Sequence, residues 1–247
     1  MNKIVLLSFF IFAFVSLSPR ASAQFIPISI PDGNFSTSGS YSTGIIGNYT
    51  NQQLGTTPWY GSGTSVLGLL LPPTDSVGSG SATISGLVST GVLSFTDTSG
   101  SIQQTLPTTY APNTTYQLTV DVTYSPVLGV NLITNGYAGA ELTSSTGTVL
   151  ASSTTPADLL SVMVLSSNEQ QLVLQYTTGA TIPTGGIGLV LFAKPTGLSL
   201  GSGANVSFSN LSLDAIPEPS TYALVGAGLL LLICIQRRRK SNLNFPS

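Results

Sequence analysis

The sequence predicts an all-β protein whose folded part is an antiparallel β-sandwich. Three observations point there. Short apolar and β-branched stretches alternate with polar residues at a period of two, the mark of strands with one face buried. Gly, Pro, Asn and Ser/Thr separate these stretches at sandwich-like spacing. Between the chain ends no long apolar period of 3.6 residues with caps occurs, so helix content should be low.

The elements follow in chain order. Met1-Asn2-Lys3 gives a positive start, Ile4–Leu17 an apolar stretch, and Ala21-Ser22-Ala23 a small-residue cleavage site before Gln24. Residues 1–23 therefore read as a secretory signal peptide cut between Ala23 and Gln24, and they are set aside from the fold. Residues 24–80 are dominated by Gly, Ser, Thr, Asn and Gln around Phe35, Tyr41, Tyr49, Trp59 and Tyr60. Loops and a few edge strands are expected there, with Ile26–Pro31 a prolined edge strand where missing N–H donors cost least. Strands are expected at Ala82–Leu87, Val92–Thr96, Ser101–Leu106, Tyr116–Tyr124, Ala138–Thr143, Leu159–Leu165, Gln171–Tyr176, Ile187–Phe192 and Val206–Leu213. In the cleanest of them, Tyr116–Tyr124, the period places Asp121 on the solvent face with Gln117, Thr119 and Thr123. The domain spans 24–215, about 190 residues, which suffices for one real core.

The tail has three parts in order: Pro217-Glu218-Pro219-Ser220-Thr221, the apolar run Ala223–Ile235, and the basic cluster Arg237-Arg238-Arg239-Lys240. The run rises roughly 20 Å as a helix, short of a hydrocarbon core of about 30 Å, so a membrane helix over 221–236 is marginal as a lasting anchor. The arginines should stay cytoplasmic and leave everything before Pro217 outside. Pro217 and Pro219 keep the segment before the helix extended and accessible. This arrangement over 216–241 resembles the PEP-CTERM sorting signal of Gram-negative bacteria. The resemblance implies an exosortase-type membrane transpeptidase as partner, cutting close to Pro217-Glu218-Pro219. The membrane would be a transient, single-pass partner. Export through the inner membrane to the cell surface or extracellular matrix would follow.

Charge narrows the function classes. The chain has seven Lys and Arg, nine Asp and Glu, and no histidine. Once both terminal signals are removed, Lys194 is the only cation left, and the exported part carries roughly −8. Nucleic acid is excluded as a partner for want of a basic patch. Without histidine, and with the single cysteine Cys234 inside the tail, neither a nucleophilic triad nor a zinc site can be assembled. The carboxylates show no readable pairing, and a non-enzymatic protein is expected.

The domain itself resembles galactose-binding-like jelly rolls. Asp32-Gly33-Asn34-Phe35 is similar to their opening turn, and Pro58-Trp59-Tyr60 falls where their tryptophan follows. Ser101–Leu106 with Asn113–Val120 is similar to their central strand pair, and Val206–Leu213 to their closing strand. The resemblance implies a calcium between first and last strands. Here, however, Ser36 or Thr37 stands at the place of the opening acid and Ser209 at that of the closing one. Asp32 and Asp214 alone supply few of the 6–8 oxygens such an ion takes, so no cofactor is predicted. Trp59, Tyr60, Tyr110, Tyr124 and Tyr137 could offer flat faces to sugar rings, with Trp59 and Tyr60 the candidate glycan contacts. The expected function is that of an exported, non-enzymatic surface or matrix protein, linked to the envelope or to exopolysaccharide and biofilm matrix. The alternative is a carbohydrate-binding module or adhesin on the cell surface, with extracellular polysaccharide as partner.

Overall fold

The computed structural model describes residues 25–42, 47–65, 74–88, 99–126, 135–155, 168–196 and 203–217, together with Gly228 and Leu232. Thirteen strands occur in them: β1 (Ile26–Pro27), β2 (Gly39–Ser42), β3 (Gly47–Gln53), β4 (Tyr60–Ser65), β5 (Thr74–Gly78), β6 (Ser81–Val88) and β7 (Ser99–Thr109). The remainder are β8 (Thr114–Pro126), β9 (Asn135–Thr143), β10 (Val149–Thr154), β11 (Asn168–Thr177), β12 (Gly186–Thr196) and β13 (Gly203–Pro217). They form two sheets. The first has the order β11-β8-β13-β6-β5-β2, with β1 paired to β13, and the second the order β10-β9-β12-β7-β4-β3. The chain passes repeatedly from one sheet to the other, giving a jelly-roll-like antiparallel sandwich. Phe25–Ala215 forms one compact unit.

The period of two decides which side chains meet between the sheets. From β8, Tyr116, Leu118, Val120, Val122 and Tyr124 turn inward. From β12 come Ile187, Leu189, Leu191 and Ala193, and from β7 Ile102 and Leu106. Interleaved, these make one continuous core. Asp121 lies on the outer face as expected, where it accepts from Gln171 Nε2 at 3.0 Å and Asn210 Nδ2 at 2.8 Å.

β13 changes phase along its length. Val206 and Phe208 are buried, and then Leu213, so the inward set moves from even to odd positions. Asn210, between them, has a left-handed φ of 51°. An extra residue of this kind re-aims a strand without ending it, and a one-residue slip would otherwise turn Leu213 to solvent. Tyrosines hold the turn between β7 and β8. The Tyr110 hydroxyl donates to the Thr143 carbonyl at 3.1 Å, and the Ala111 N–H donates to the Tyr116 hydroxyl at 2.6 Å. Their rings meet edge to face, centroids 4.9 Å apart.

Residues 24–80 are more regular than the sequence suggests. β4 is paired on both sides, by β3 and β7, and β5 by β2 and β6. Gly61 and Gly63 occupy the inward positions of β4, so the strand carries no apolar period to read. The prolined edge strand shrinks to β1, whose pairs are Ile26 with Ala215 and Pro27 with Asp214. β10 was not expected, because its alternation in Val149–Thr154 is weak. The expected strands at 92–96 and 159–165, and the signal peptide at 1–23 with its Ala23/Gln24 cut, lie outside the described residues. So does the membrane helix at 221–236, apart from Gly228 and Leu232. Among the described residues no helix is long and apolar enough to cross a membrane.

Phe208→Ala should cost about 3–5 kcal/mol, since it opens a cavity between sheets that cannot collapse onto it. Asn210→Val should cost about 1–2 kcal/mol through the left-handed backbone alone. Urea unfolding of residues 24–215 measures both, and the larger loss should be at Phe208.

Candidate functional site

The outer face of the second sheet carries the features that could meet a ligand. Outward positions on adjacent strands are Tyr60, Ser62 and Thr64 on β4, Ser101, Gln103 and Thr105 on β7, and Val190 and Phe192 on β12. Here a cleft of about 520 Å³ is walled by Tyr60, Gln103, Thr105 and the turn Thr143–Gly147. Further along the same strands is a depression of about 300 Å³, lined by Ser62, Thr64, Ser101, Phe192 and Lys194.

Local structure fixes the cleft's polar groups. At Asn51 the register of β3 against β4 shifts and φ is 53°, a bulge at the sheet rim. The bulge lets Asn51 N–H donate to Ser62 Oγ at 2.8 Å, while Asn51 Oδ1 accepts from Gln103 Nε2 at 3.0 Å. Two amides are thus oriented beside the Tyr60 ring before any ligand arrives. On the far wall Gly147 N–H donates to the Ser144 carbonyl at 2.9 Å, and Ser145 Oγ to the Thr184 carbonyl at 2.8 Å. Gly188 has to lack a side chain, because a Cβ there would fall 2.0 Å from Thr143 Oγ1.

Of the aromatic residues proposed for sugar contact, Trp59 is corrected. It is 0 % exposed, its ring lies 5.2 Å from that of Phe35, and its Nε1 donates to the Asp32 carbonyl at 3.2 Å. Adjacent extended residues point to opposite faces, so Trp59 and Tyr60 cannot both meet a ligand, and Tyr60 is the outward one. Tyr110 and Tyr124 are likewise buried. Tyr137 is half-buried on the outer face, edge-on to Phe192 with centroids 6.1 Å apart. Tyr60 and Tyr137 therefore share one face of the second sheet, with Lys194 paired opposite Tyr137.

Two carboxylates repay attention. Asp32 Oδ1 accepts from Ser36 N–H at 2.9 Å, Ser36 Oγ at 3.0 Å and Thr37 N–H at 3.1 Å, which closes the opening turn. With Asp214 it lines a shallow groove of about 420 Å³ between β1 and the end of β13. Among the described residues no group of three His, Cys, Asp or Glu side chains is placed to hold a metal ion.

Asp75 was missed from the sequence, where Thr74–Gly78 reads as loop; the only signal is that Asp75 alternates with Val77. It is 0 % exposed between the sheets, over a floor of glycines. A Cβ at Gly61 would lie 2.5 Å from Asp75 Oδ2, and one at Gly100 3.2 Å from Oδ1. Neither oxygen completes a hydrogen bond of good geometry. Burial pushes its carboxyl up to about 7, opposed in part by the neighbouring Tyr49 hydroxyl and the Ser62 backbone. Burial, with the Asp75 charge, also raises the Tyr49 phenol well above its ordinary value. A carboxyl poised near neutrality is a frequent mark of catalysis, but one with no accessible surface cannot touch a substrate.

Residues 215–240 match the PEP-CTERM protein-sorting motif, as the tail's arrangement implied. The tail is thus the sorting signal of an exported, membrane-transiting protein. Its match begins inside β13, so the signal is continuous with a core strand. No protein of curated function matches the chain. Among solved structures, the apo form of a cyclase from Fischerella sp. is 16 % identical, with 81 % of this chain and all of that chain, 100 %, covered at a TM-score of 0.45. The CBM22-1 xylan-binding domain of Paenibacillus barcinonensis Xyn10C is 12 % identical, over 81 % of this chain and 100 % of that one, at a TM-score of 0.31. A structure of carbohydrate-binding modules from the β-sandwich superfamily is 12 % identical over 74 % of this chain, which spans 58 % of that one, at a TM-score of 0.34. Likeness at this distance bears on neither ligand nor activity.

Two outcomes follow. The folded pKa of Asp75 lies above its unfolded value of 3.8, so the folded state binds the extra proton. Its stability is complete below pH 4 and falls by about 1.4 kcal/mol per unit as pH rises toward 7, about 4 kcal/mol in all. Asp75→Asn should flatten that slope in urea titrations from pH 4 to 8. Trp59→Ala should cost about 3–5 kcal/mol, whereas Tyr60→Ala should stay within about 1 kcal/mol, as thermal unfolding would show.

Proposed function

We propose that the chain is an exported, non-enzymatic surface or matrix protein, delivered through its tail and released by an exosortase-type transpeptidase at Pro217-Glu218-Pro219. The observation that carries this reading is the join between domain and signal. β13 runs to Pro217, and the sorting motif starts at Ala215, so a cut near Pro217 frees the whole sandwich. Pro217 and Pro219 lack the N–H that would extend the ladder or the following helix, which favours an extended substrate there. Glu218, Pro219 and the basic cluster Arg237, Arg238, Arg239, Lys240 lie outside the described residues, and their roles are assigned from sequence. The signal peptide is removed between Ala23 and Gln24. The released protein takes its place at the cell surface, in the envelope or in an exopolysaccharide matrix. A non-enzymatic role is supported by the lack of histidine in the sequence and by the inaccessibility of Asp75, the one carboxyl shifted toward neutrality among the described residues.

The cleft beside Tyr60 favours a second, compatible reading as a carbohydrate-binding surface. A half-exposed tyrosine with two pre-oriented amides and no charge suits a sugar ring and its hydroxyls better than it suits an ion.

Intact mass of the surface protein tests the sorting reading. The expected product begins at Gln24 and ends near residue 218, and a mature form that still carries Arg237–Lys240 refutes it. A glycan array with residues 24–215 tests the second reading. Saturable binding should weaken at least about tenfold in Tyr60→Ala, a loss of about 1.4 kcal/mol, with Val173→Ala unchanged.

A further inference from the structure

The edge of the sandwich from which the sorting segment departs carries exposed apolar side chains. β1 lies antiparallel to the end of β13, with Ile26 opposite Ala215, and Ile28 N–H donates to the Leu213 carbonyl at 2.8 Å. The first residues of the domain are therefore held beside its last. Phe25 is 53 % exposed and Ile26 48 %. The other exposed large apolar residues described in the domain, Val149, Val173 and Ile182, stand singly. By the alternation of extended residues Phe25 and Ile26 flank the end of the sheet on opposite sides, and pairing with the chain end keeps both at that end.

Chain length says what that end faces. Only Glu218, Pro219 and Ser220 separate the end of β13 from the membrane helix expected over 221–236. Fully extended, three residues reach about 10–11 Å. Once the tail is in a bilayer, the end of β13 and its partner β1 cannot stand further than that from the headgroup region. We propose that Phe25 and Ile26 rest in the lipid interface while the tail is inserted, so that this edge of the domain is a foot on the membrane. The proposal rests on the reading of the tail as a membrane-inserted sorting segment. An aromatic ring and a branched aliphatic chain are suited to the boundary between headgroups and acyl chains. Asp214 and Asp32, close to the foot, and Glu218 keep it from sinking deeper and favour zwitterionic over anionic lipid. With the foot down, Pro217-Glu218-Pro219 is held at the depth where a membrane transpeptidase works. After the cut, two side chains are too little to retain the domain, and it leaves.

Depth-dependent quenching tests this in the chain from Gln24 to Ser247, signal peptide removed and tail intact, reconstituted in phosphatidylcholine vesicles with brominated acyl chains. Phe25→Trp and Val149→Trp are compared, both at exposed positions, with the unsubstituted chain and its interior Trp59 as blank. The expected result is at least about twofold stronger quenching for Phe25→Trp than for Val149→Trp in chain that resists carbonate extraction. Equal quenching of the two in carbonate-resistant chain overturns the foot and leaves the sorting reading standing. If carbonate extracts the chain, the tail does not insert, and both fall together.

Discussion

Burial of interleaved apolar side chains between two sheets is the constraint on which this molecule depends. The domain has no cysteine to form a disulfide, and Lys194 is its only cation, so ion pairs can contribute little. What remains is the alternation of β7, β8, β12 and β13, which brings Ile102, Leu118, Leu189 and Phe208 into one interior. Two irregularities serve that alternation. Asn210 restores the phase of β13, and Asn51 bends the rim of β3 so that Tyr49 can turn inward. Polar surfaces then follow as the other half of each strand. On the first sheet the Asp121 carboxylate is shared by the amides of Gln171 and Asn210, and Thr83 bonds Ser207 at 2.9 Å, so hydrogen bonds do the work that ion pairs do elsewhere.

Legibility in the sequence tracked how far apolar residues fill inward positions. β8 could be read almost residue for residue, because every inward position from Tyr116 to Tyr124 is large and apolar. β4 and β5 could not, since Val77 is the one apolar side chain among their interior residues Gly61, Gly63, Asp75 and Val77, and glycine and aspartate ordinarily mark loops. The close approach that calls for glycine is a property of the facing sheet, and no local window contains it. The site was legible in the same uneven way. Sequence singled out Pro58-Trp59-Tyr60, and the alternation rule shows that only one of its rings can face outward. Which one depends on the phase of β4, set by the glycines against Asp75 and Tyr49. The amide pair Asn51 and Gln103 spans 52 positions and could be found only in three dimensions. The sorting motif of the tail, by contrast, was readable because its three parts stand in linear order.

Asp75 and the Tyr60 cleft show two opposite uses of glycine in one sheet. Beneath β4, Gly61 and Gly100 make room for a carboxyl that water cannot reach, and that burial is what raises its pKa. On the outer side, Gly188 and Gly139 clear space for Thr143 and for the Phe192 ring, shaping a surface that water does reach. Small residues on this sheet therefore govern both an interior ionisation state and an exterior relief.

The continuity of β13 with the sorting segment also has a mechanical meaning. β13 lies between β8 and β6 in the middle of its sheet, and its last residues lead straight into the tail. A force applied along that strand acts at right angles to the ladder hydrogen bonds. Such a load must break those bonds together rather than one after another. The sorting segment therefore follows a strand whose release requires many ladder bonds to break at once, not one at the edge of the sheet.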